Sequence, residues 1–288
     1  MSNPAAARQA SQEKKPPSVR SEPTLLLIHG AWHNAQHWQS VVNSLRELGR
    51  RGLAIDLPGH GVNGPAPIDH DAPSTVALVS VQDAAMAVVE ALRAERVVKP
   101  VLVGHSIGGV IITLAAELAP ELIGHLVYVS GHAPIGLKSP AAYAQLPEWR
   151  TGYGDKLFIG NPAATGVVRI DPSGDTPYLE ALRQAYYNDV AFDDFLPFAR
   201  ALTADLPLAF WIGEIAVTKE RWGRIPRTYV RCTLDRALSP AIQSMMIREA
   251  DELTPENRFH VIDLPSSHSP FASMPRKLAQ ILADAAVD

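Results

Sequence analysis

Short, unbroken apolar runs alternate with amphipathic stretches along most of this chain. The first run, Thr24-Leu-Leu-Leu-Ile28, lacks the polar alternation of a half-exposed strand and predicts a strand buried on both faces. From about Gln36 to Leu48 the apolar positions Trp38, Val41, Val42, Leu45 and Leu48 fall on one helical face, and Gly49 and Gly52 punctuate its end. Leu53 to Leu57 predicts a second strand, ending in Pro58-Gly-His-Gly61. A long helix is predicted from about Ser74 to Arg96 and a third strand from Pro100 to Gly104. A helix then runs from about Ile107 to Leu118, stopped by Pro120, and Ile123 to Val129 predicts a fourth strand. The same rhythm returns late in the chain. Arg227 to Thr233 and Arg258 to Leu264 predict strands, and helices are predicted from about Pro240 to Leu253 and from about Pro270 to Val287.

Strands that alternate with helices predict βαβ units, here a mainly parallel sheet of about six strands with helices on both faces. Right-handed crossovers bring every strand's carboxyl end to one edge, where ligands bind. Residues 132–219 break the rhythm and are rich in Pro, Gly and aromatics. A structureless loop of that length is implausible in a compact domain, so the stretch predicts an inserted, mostly helical cap over the sheet edge. Residues 23–131 and 220–288 then form the core. Residues 1–22, rich in Ala, Ser, Gln, Lys and Pro without periodicity, predict a disordered tail.

Composition narrows the partners. With 288 residues, 47% hydrophobic and 19% charged, the chain can bury a sizeable core and is neither disordered nor supercharged. A formal charge of -4 leaves no footprint for nucleic acid or an anionic membrane, so neither is expected as a partner and a small molecule is. No apolar stretch approaches the roughly 20 residues of a spanning helix, and the first residues lack a signal-peptide core. A cytoplasmic location is the expectation. The single cysteine, Cys232, rules out an internal disulfide and a cysteine zinc site, and its apolar surroundings predict packing.

The segment Val101-Leu-Val-Gly104-His105-Ser106-Ile107-Gly108-Gly109 places a G-x-S-x-G pattern between a predicted strand and a predicted helix. That context marks a nucleophile elbow, a turn so tight that residues two positions from the serine cannot carry side chains. Ser106 is therefore the candidate nucleophile. A serine hydroxyl needs a base, and His268, in the polar loop Pro265-Ser-Ser-His268-Ser-Pro270 between the last strand and helix, is the candidate. The imidazole needs a carboxylate to fix its tautomer. Asp235 follows a strand and precedes His268, whereas the rival Asp263 sits five residues before His268 on the same strand-loop unit, so Asp235 is favoured. The tight loop Ile28-His29-Gly30-Ala31-Trp32 would bring the Ala31 N–H to meet that of Ile107 in an oxyanion hole. His29, His33 and His37 recur every four residues, but His29 ends a strand and no acidic company stands nearby, so no metal is expected.

Together these residues resemble the α/β-hydrolase superfamily over nearly all of the chain after the tail. The likeness is strongest to the plant methylesterase, salicylate-binding and hydroxynitrile lyase group and to similar bacterial esterases. It rests on Leu27-Ile-His-Gly-Ala31-Trp32-His33, on the Ser106 segment, and on Arg221-Trp-Gly-Arg-Ile-Pro-Arg-Thr-Tyr-Val-Arg-Cys-Thr-Leu-Asp235. The resemblance implies the α/β-hydrolase fold, oxyanion N–H groups from Ala31 and Ile107, no cofactor, and serine-dependent hydrolysis of a small-molecule ester. Relatives of this kind are often dimeric, which leaves a homodimer open. The lyases carry a threonine where this chain has Gly30 and a lysine directly after the histidine, where this chain has Ser269, so ester hydrolysis is favoured over lyase chemistry. Leu57-Pro-Gly-His-Gly61 departs from the plant enzymes, which weakens any transfer of a plant-hormone substrate. The aromatic cap predicts an apolar or aryl substrate, with Trp32, Phe210 and Trp211 as candidate walls. The same triad would also serve a carbon–carbon bond or lactone hydrolase or a perhydrolase, and a receptor can keep a triad without turnover.

Overall fold

A computed structural model of the chain describes residues 24–61, 64, 70–95, 99–149 and 156–285. The predicted tail lies outside them. Eight strands are present among these residues: β1 (Thr24–Ile28), β2 (Arg51–Ile55), β3 (Val101–His105), β4 (His125–Val129), β5 (Val167–Arg169), β6 (Asp205–Pro207), β7 (Arg227–Cys232) and β8 (His260–Leu264). Six form one sheet in the order β2-β1-β3-β4-β7-β8. Every neighbouring pair in it is parallel.

The inner strands β1, β3 and β4 are buried at every position, as their unbroken apolar runs require. The outer strands β2 and β8 are partly exposed. The chain leaves β1 outward to β2, then crosses back to place β3 on the other side of β1. The strand order reverses between β1 and β3, so a crevice opens outside their carboxyl ends. The loop after β1 and the turn after β3 meet there.

The helices of the first half are α1 (Gln39–Glu47), α2 (Val81–Ala94) and α3 (Gly108–Leu118). Helices α4 (Pro140–Ala144), α5 (Pro162–Thr165), α6 (Thr176–Tyr186), α7 (Phe192–Arg200) and α8 (Leu208–Ile212) lie between β4 and β7. The chain ends with α9 (Pro240–Leu253), α10 (Pro270–Ser273) and α11 (Pro275–Asp284). Helix α1 packs on α11 and α2 on α3.

Several elements differ from their sequence outlines, β2 among them, which spans Arg51–Ile55 rather than Leu53 to Leu57. Helix α2 begins at Val81 rather than near Ser74, because Ser80 caps it: its hydroxyl accepts from the Asp83 N–H while the Asp83 carboxylate accepts from the Ser80 N–H. The closing helix is two helices. Pro275 disfavours helical backbone at Met274, whose φ of -135° and ψ of 47° break the run. The β4–β7 segment holds the five helices α4 to α8 but is less than half helical, and it also holds β5 and β6, paired antiparallel with Arg169 opposite Asp205. Those two side chains form a fully buried bidentate ion pair at 2.5 and 2.9 Å, and the same guanidinium donates to the His70 carbonyl at 2.7 Å. A charge buried this deeply needs all these partners, and a three-residue strand carries too little periodicity to be read beforehand.

Candidate active site

Ser106 leaves β3 with φ of +51°, a left-handed conformation that strains any residue with a Cβ. The turn holds because its glycines let backbone meet backbone. A Cβ on Gly108 would stand 2.6 Å from the His29 carbonyl oxygen, and one on Gly104 would stand 2.7 Å from that of Gly108. Gly108→Ala is therefore expected to destabilise the fold by several degrees of Tm, since two backbone segments rather than one flexible side chain must move; thermal unfolding followed by circular dichroism checks this. The Ser106 carbonyl accepts from the His132 N–H at 2.9 Å, which fixes the elbow to the end of β4.

His268 sits between β8 and α10 and is almost wholly buried. Its Nδ1 lies 2.7 Å from Asp235 Oδ2. Its carbonyl accepts from His105 Nε2 at 2.9 Å, so the histidine inside the elbow motif positions the loop that carries residue 268. Asp235 follows β7 and is saturated with donors. Its Oδ1 accepts from the Ala237 and Leu238 N–H groups at 2.8 and 2.9 Å. Its Oδ2 accepts from His268, from the Ser130 hydroxyl, and from Gln243 Nε2 at 3.3 Å. A carboxylate that only accepts leaves the proton on His268 Nδ1 and the lone pair on Nε2. Asp263 stands elsewhere: it is 54% exposed on β8 and pairs with Arg231 at 2.7 Å, which holds its carboxyl below the usual range.

Ser106 and His268 line one cavity of about 730 Å³, together with Ala31 and Ile107. Among the described residues the main-chain N–H groups of Ala31 and Ile107 meet no main-chain acceptor. Trp32 and Trp211 both line the cavity, and Trp32 is anchored by its indole N–H, which donates to the Val168 carbonyl at 2.9 Å. Phe210 does not line it. That side chain is fully buried and stacks on His60 at 5.9 Å, because successive residues of α8 point to different sides.

Ser130 and Gln243 had no place in the sequence reading. Ser130 directly follows the apolar run of β4 with φ of +44°, and Gln243 is a fully buried polar residue in the first turn of α9. A polar residue at the carboxyl edge of a buried strand was the available signal for the first; nothing in the sequence distinguished the second.

The recurring histidines serve packing and hydrogen bonding. His29 Nε2 accepts from the Leu57 N–H at 3.0 Å, His33 Nε2 meets the Tyr187 hydroxyl at 2.6 Å, and His37 Nε2 donates to the Phe198 carbonyl at 3.2 Å. Among the described residues no three His, Cys, Asp or Glu side chains are grouped as metal ligands. Burial pushes His37 and His60 down to about 4, and His29, His33 and His105 also lie well below the ordinary value. Between pH 6.5 and 4 the unfolded chain therefore takes up protons that the folded chain refuses. Stability is full above about 6.5 and falls as pH drops, by on the order of 3 kcal/mol each for His37 and His60 across that window, with His29, His33 and His105 acting in the same direction. Tm is expected to hold above about pH 6.5 and to decline from there to about pH 5, and a flat profile across that window in differential scanning calorimetry would contradict this.

The alpha/beta hydrolase family model matches residues 25–281, nearly the whole described chain. The chain belongs to the alpha/beta hydrolase family. This hydrolase is 30% identical to methylesterase 18 of Arabidopsis thaliana over 278 residues, 92% of this chain and 98% of that protein. It is 28% identical to the pyrethroid hydrolase of Sphingobium wenxiniae over 261 residues, 90% of this chain and 86% of that one. The crystal structure of a pyrethroid hydrolase from Sphingobium faniae superposes with a TM-score of 0.75 at 26% identity, covering 92% of this chain and 97% of that one. By this kinship the chain is an enzyme of the carboxylesterase type. No described helix of the hydrolase is long and apolar enough to cross a membrane.

Proposed function

We propose that this hydrolase cleaves small apolar or aryl carboxylic esters through an acyl-enzyme formed on Ser106. The supporting observation is that one cavity is lined by Ser106, by His268, whose Nδ1 is held 2.7 Å from Asp235, and by Ala31 and Ile107, whose N–H groups meet no main-chain acceptor among the described residues. His268 Nε2 takes the hydroxyl proton as Ser106 Oγ attacks the ester carbonyl. The oxyanion forms against the Ala31 and Ile107 N–H groups, each such donor stabilising the transition state by roughly 3 kcal/mol. His268 then protonates the departing alcohol, the acyl group stays on Ser106, and water activated by the same imidazole releases the acid. No step calls on a cofactor. In this reading residues 132–219 act as the cap that shields the acyl-enzyme. The relatives named methylesterase and methyl jasmonate esterase point the same way.

Gly30 favours hydrolysis over lyase chemistry on packing grounds as well. A Cβ there would stand 2.7 Å from Ser106 Cβ, so a threonine could not enter without moving the nucleophile. The test is a panel of chromogenic aryl esters of graded acyl length. Turnover with a burst of the phenol supports the reading; saturable binding of the acids without any turnover would make the protein a receptor instead.

A further inference from the structure

The cavity has a second polar feature that the hydrolytic chemistry does not use. His132 follows β4 by two residues past Ser130, and its N–H is bonded to the Ser106 carbonyl at 2.9 Å, so its side chain is placed from the nucleophile itself. The imidazole is 97% buried yet lines the cavity, and its Nδ1 meets no partner among the described residues. Two other buried imidazoles, His60 and His105, also have one unmet nitrogen, but neither lines the cavity. Nδ1 itself is shut away from the cavity, so the ring nitrogen left for a ligand is Nε2, which no described residue partners either.

The ring is held in an aromatic wall. Trp149 stacks on His132 with centroids 5.7 Å apart and planes 28° apart, and Trp211 meets it edge-on at 6.0 Å. Both indoles line the same cavity. Burial, with the neighbouring His268 as the second cause, pushes the His132 imidazole down to about 3. The ring is thus neutral at physiological pH and offers one N–H and one lone pair but no charge. A flat apolar surface with one neutral hydrogen-bonding point fits an aromatic group that carries a neutral polar substituent.

Building on the hydrolase reading, we propose that His132 is a specificity-determining residue that hydrogen-bonds a hydroxyl or carbonyl on an aromatic ester and selects such esters over their plain apolar counterparts. Sites that hydrogen-bond a substrate group discriminate strongly against the analogue that lacks it.

The test measures kcat/KM for matched pairs: 3- and 4-hydroxybenzoate 4-nitrophenyl esters against the benzoate, and hydroxybenzyl acetates against benzyl acetate. The wild type is expected to favour at least one hydroxy ester over its parent by tenfold or more. His132→Phe, or His132→Leu should the first not fold, is expected to bring that ratio within threefold of unity. His132→Gln, which carries a donor and an acceptor out to about the place of Nε2, is expected to retain part of it. The readout is the ratio, whatever the variants do to absolute rates. A wild type that favours no hydroxy ester, or a preference equal in wild type and variant, overturns the proposal. Calorimetric binding of the hydroxylated and parent acids to Ser106→Ala, with and without His132→Phe, separates the two claims. If no ester is turned over but the binding ratio depends on His132, hydrolysis fails and the anchor stands. If esters are turned over through Ser106 and neither ratio depends on His132, the anchor alone fails.

Discussion

Replacing Ser106 by alanine is expected to lower kcat for an aryl ester by about 10⁴- to 10⁶-fold, with the cavity and its affinity for the acid product intact. The alanine keeps a Cβ at φ of +51°, so the strain of the elbow stays and the backbone is unchanged. What disappears is the proposed nucleophilic oxygen, on a residue that lines the same cavity as His268, Ala31 and Ile107. Ser106→Gly separates strain from chemistry. It is expected to be equally inactive but more stable than the alanine variant by about 1 kcal/mol, because glycine adopts a positive φ without a steric penalty. Steady-state kinetics and chemical denaturation of the two variants check both parts, and an alanine variant within tenfold of wild type would remove the nucleophile.

Asp235→Asn is expected to lower kcat by about 10⁴-fold through the tautomer of a residue it does not replace. The Oδ1 of Asp235 is held by two main-chain donors, Ala237 and Leu238, at 2.8 and 2.9 Å. An asparagine must leave its oxygen there and turn its NH₂ toward His268. Nδ1 then has to accept, the ring proton moves to Nε2, and the nitrogen facing the cavity loses the lone pair that would deprotonate Ser106. Asp263→Asn should stay within about twofold of wild type, since an exposed ion pair with Arg231 contributes little. Kinetics of the pair decides: if Asp263→Asn is the crippled variant, the acid is misassigned. Ser130→Ala should fall between them, because its hydroxyl shares Oδ2 with His268 without carrying the ring's proton.

The parts of the fold legible in the sequence were those whose signal is local. The apolar runs of β1, β3 and β4 announce burial on both faces, and the glycines around Ser106 announce a turn that only missing side chains permit. Helix α9 was legible to its ends, Pro240 and Leu253, because a proline opens it. What stayed hidden depends on partners distant in sequence. The placement of Arg169 against Asp205 joins two three-residue strands that have no pattern of their own. Phe210 and Trp211 are neighbours in sequence, yet one faces His60 and the other the cavity. Gln243 reaches Asp235 from a helix that sequence spacing gives no reason to place there. His132 looked like any loop residue after a strand until its neighbours Trp149 and Trp211 were brought around it.

The proposed chemistry requires that the hydroxyl of Ser106 be made nucleophilic by the imidazole of His268, which lines the same cavity. An irreversible aryl phosphonate followed by peptide mass mapping tests that directly. A single adduct on Ser106, absent from Ser106→Ala and formed orders of magnitude more slowly on Asp235→Asn, is the expected result. An adduct on another side chain, or continued ester turnover by the fully labelled protein, would contradict it.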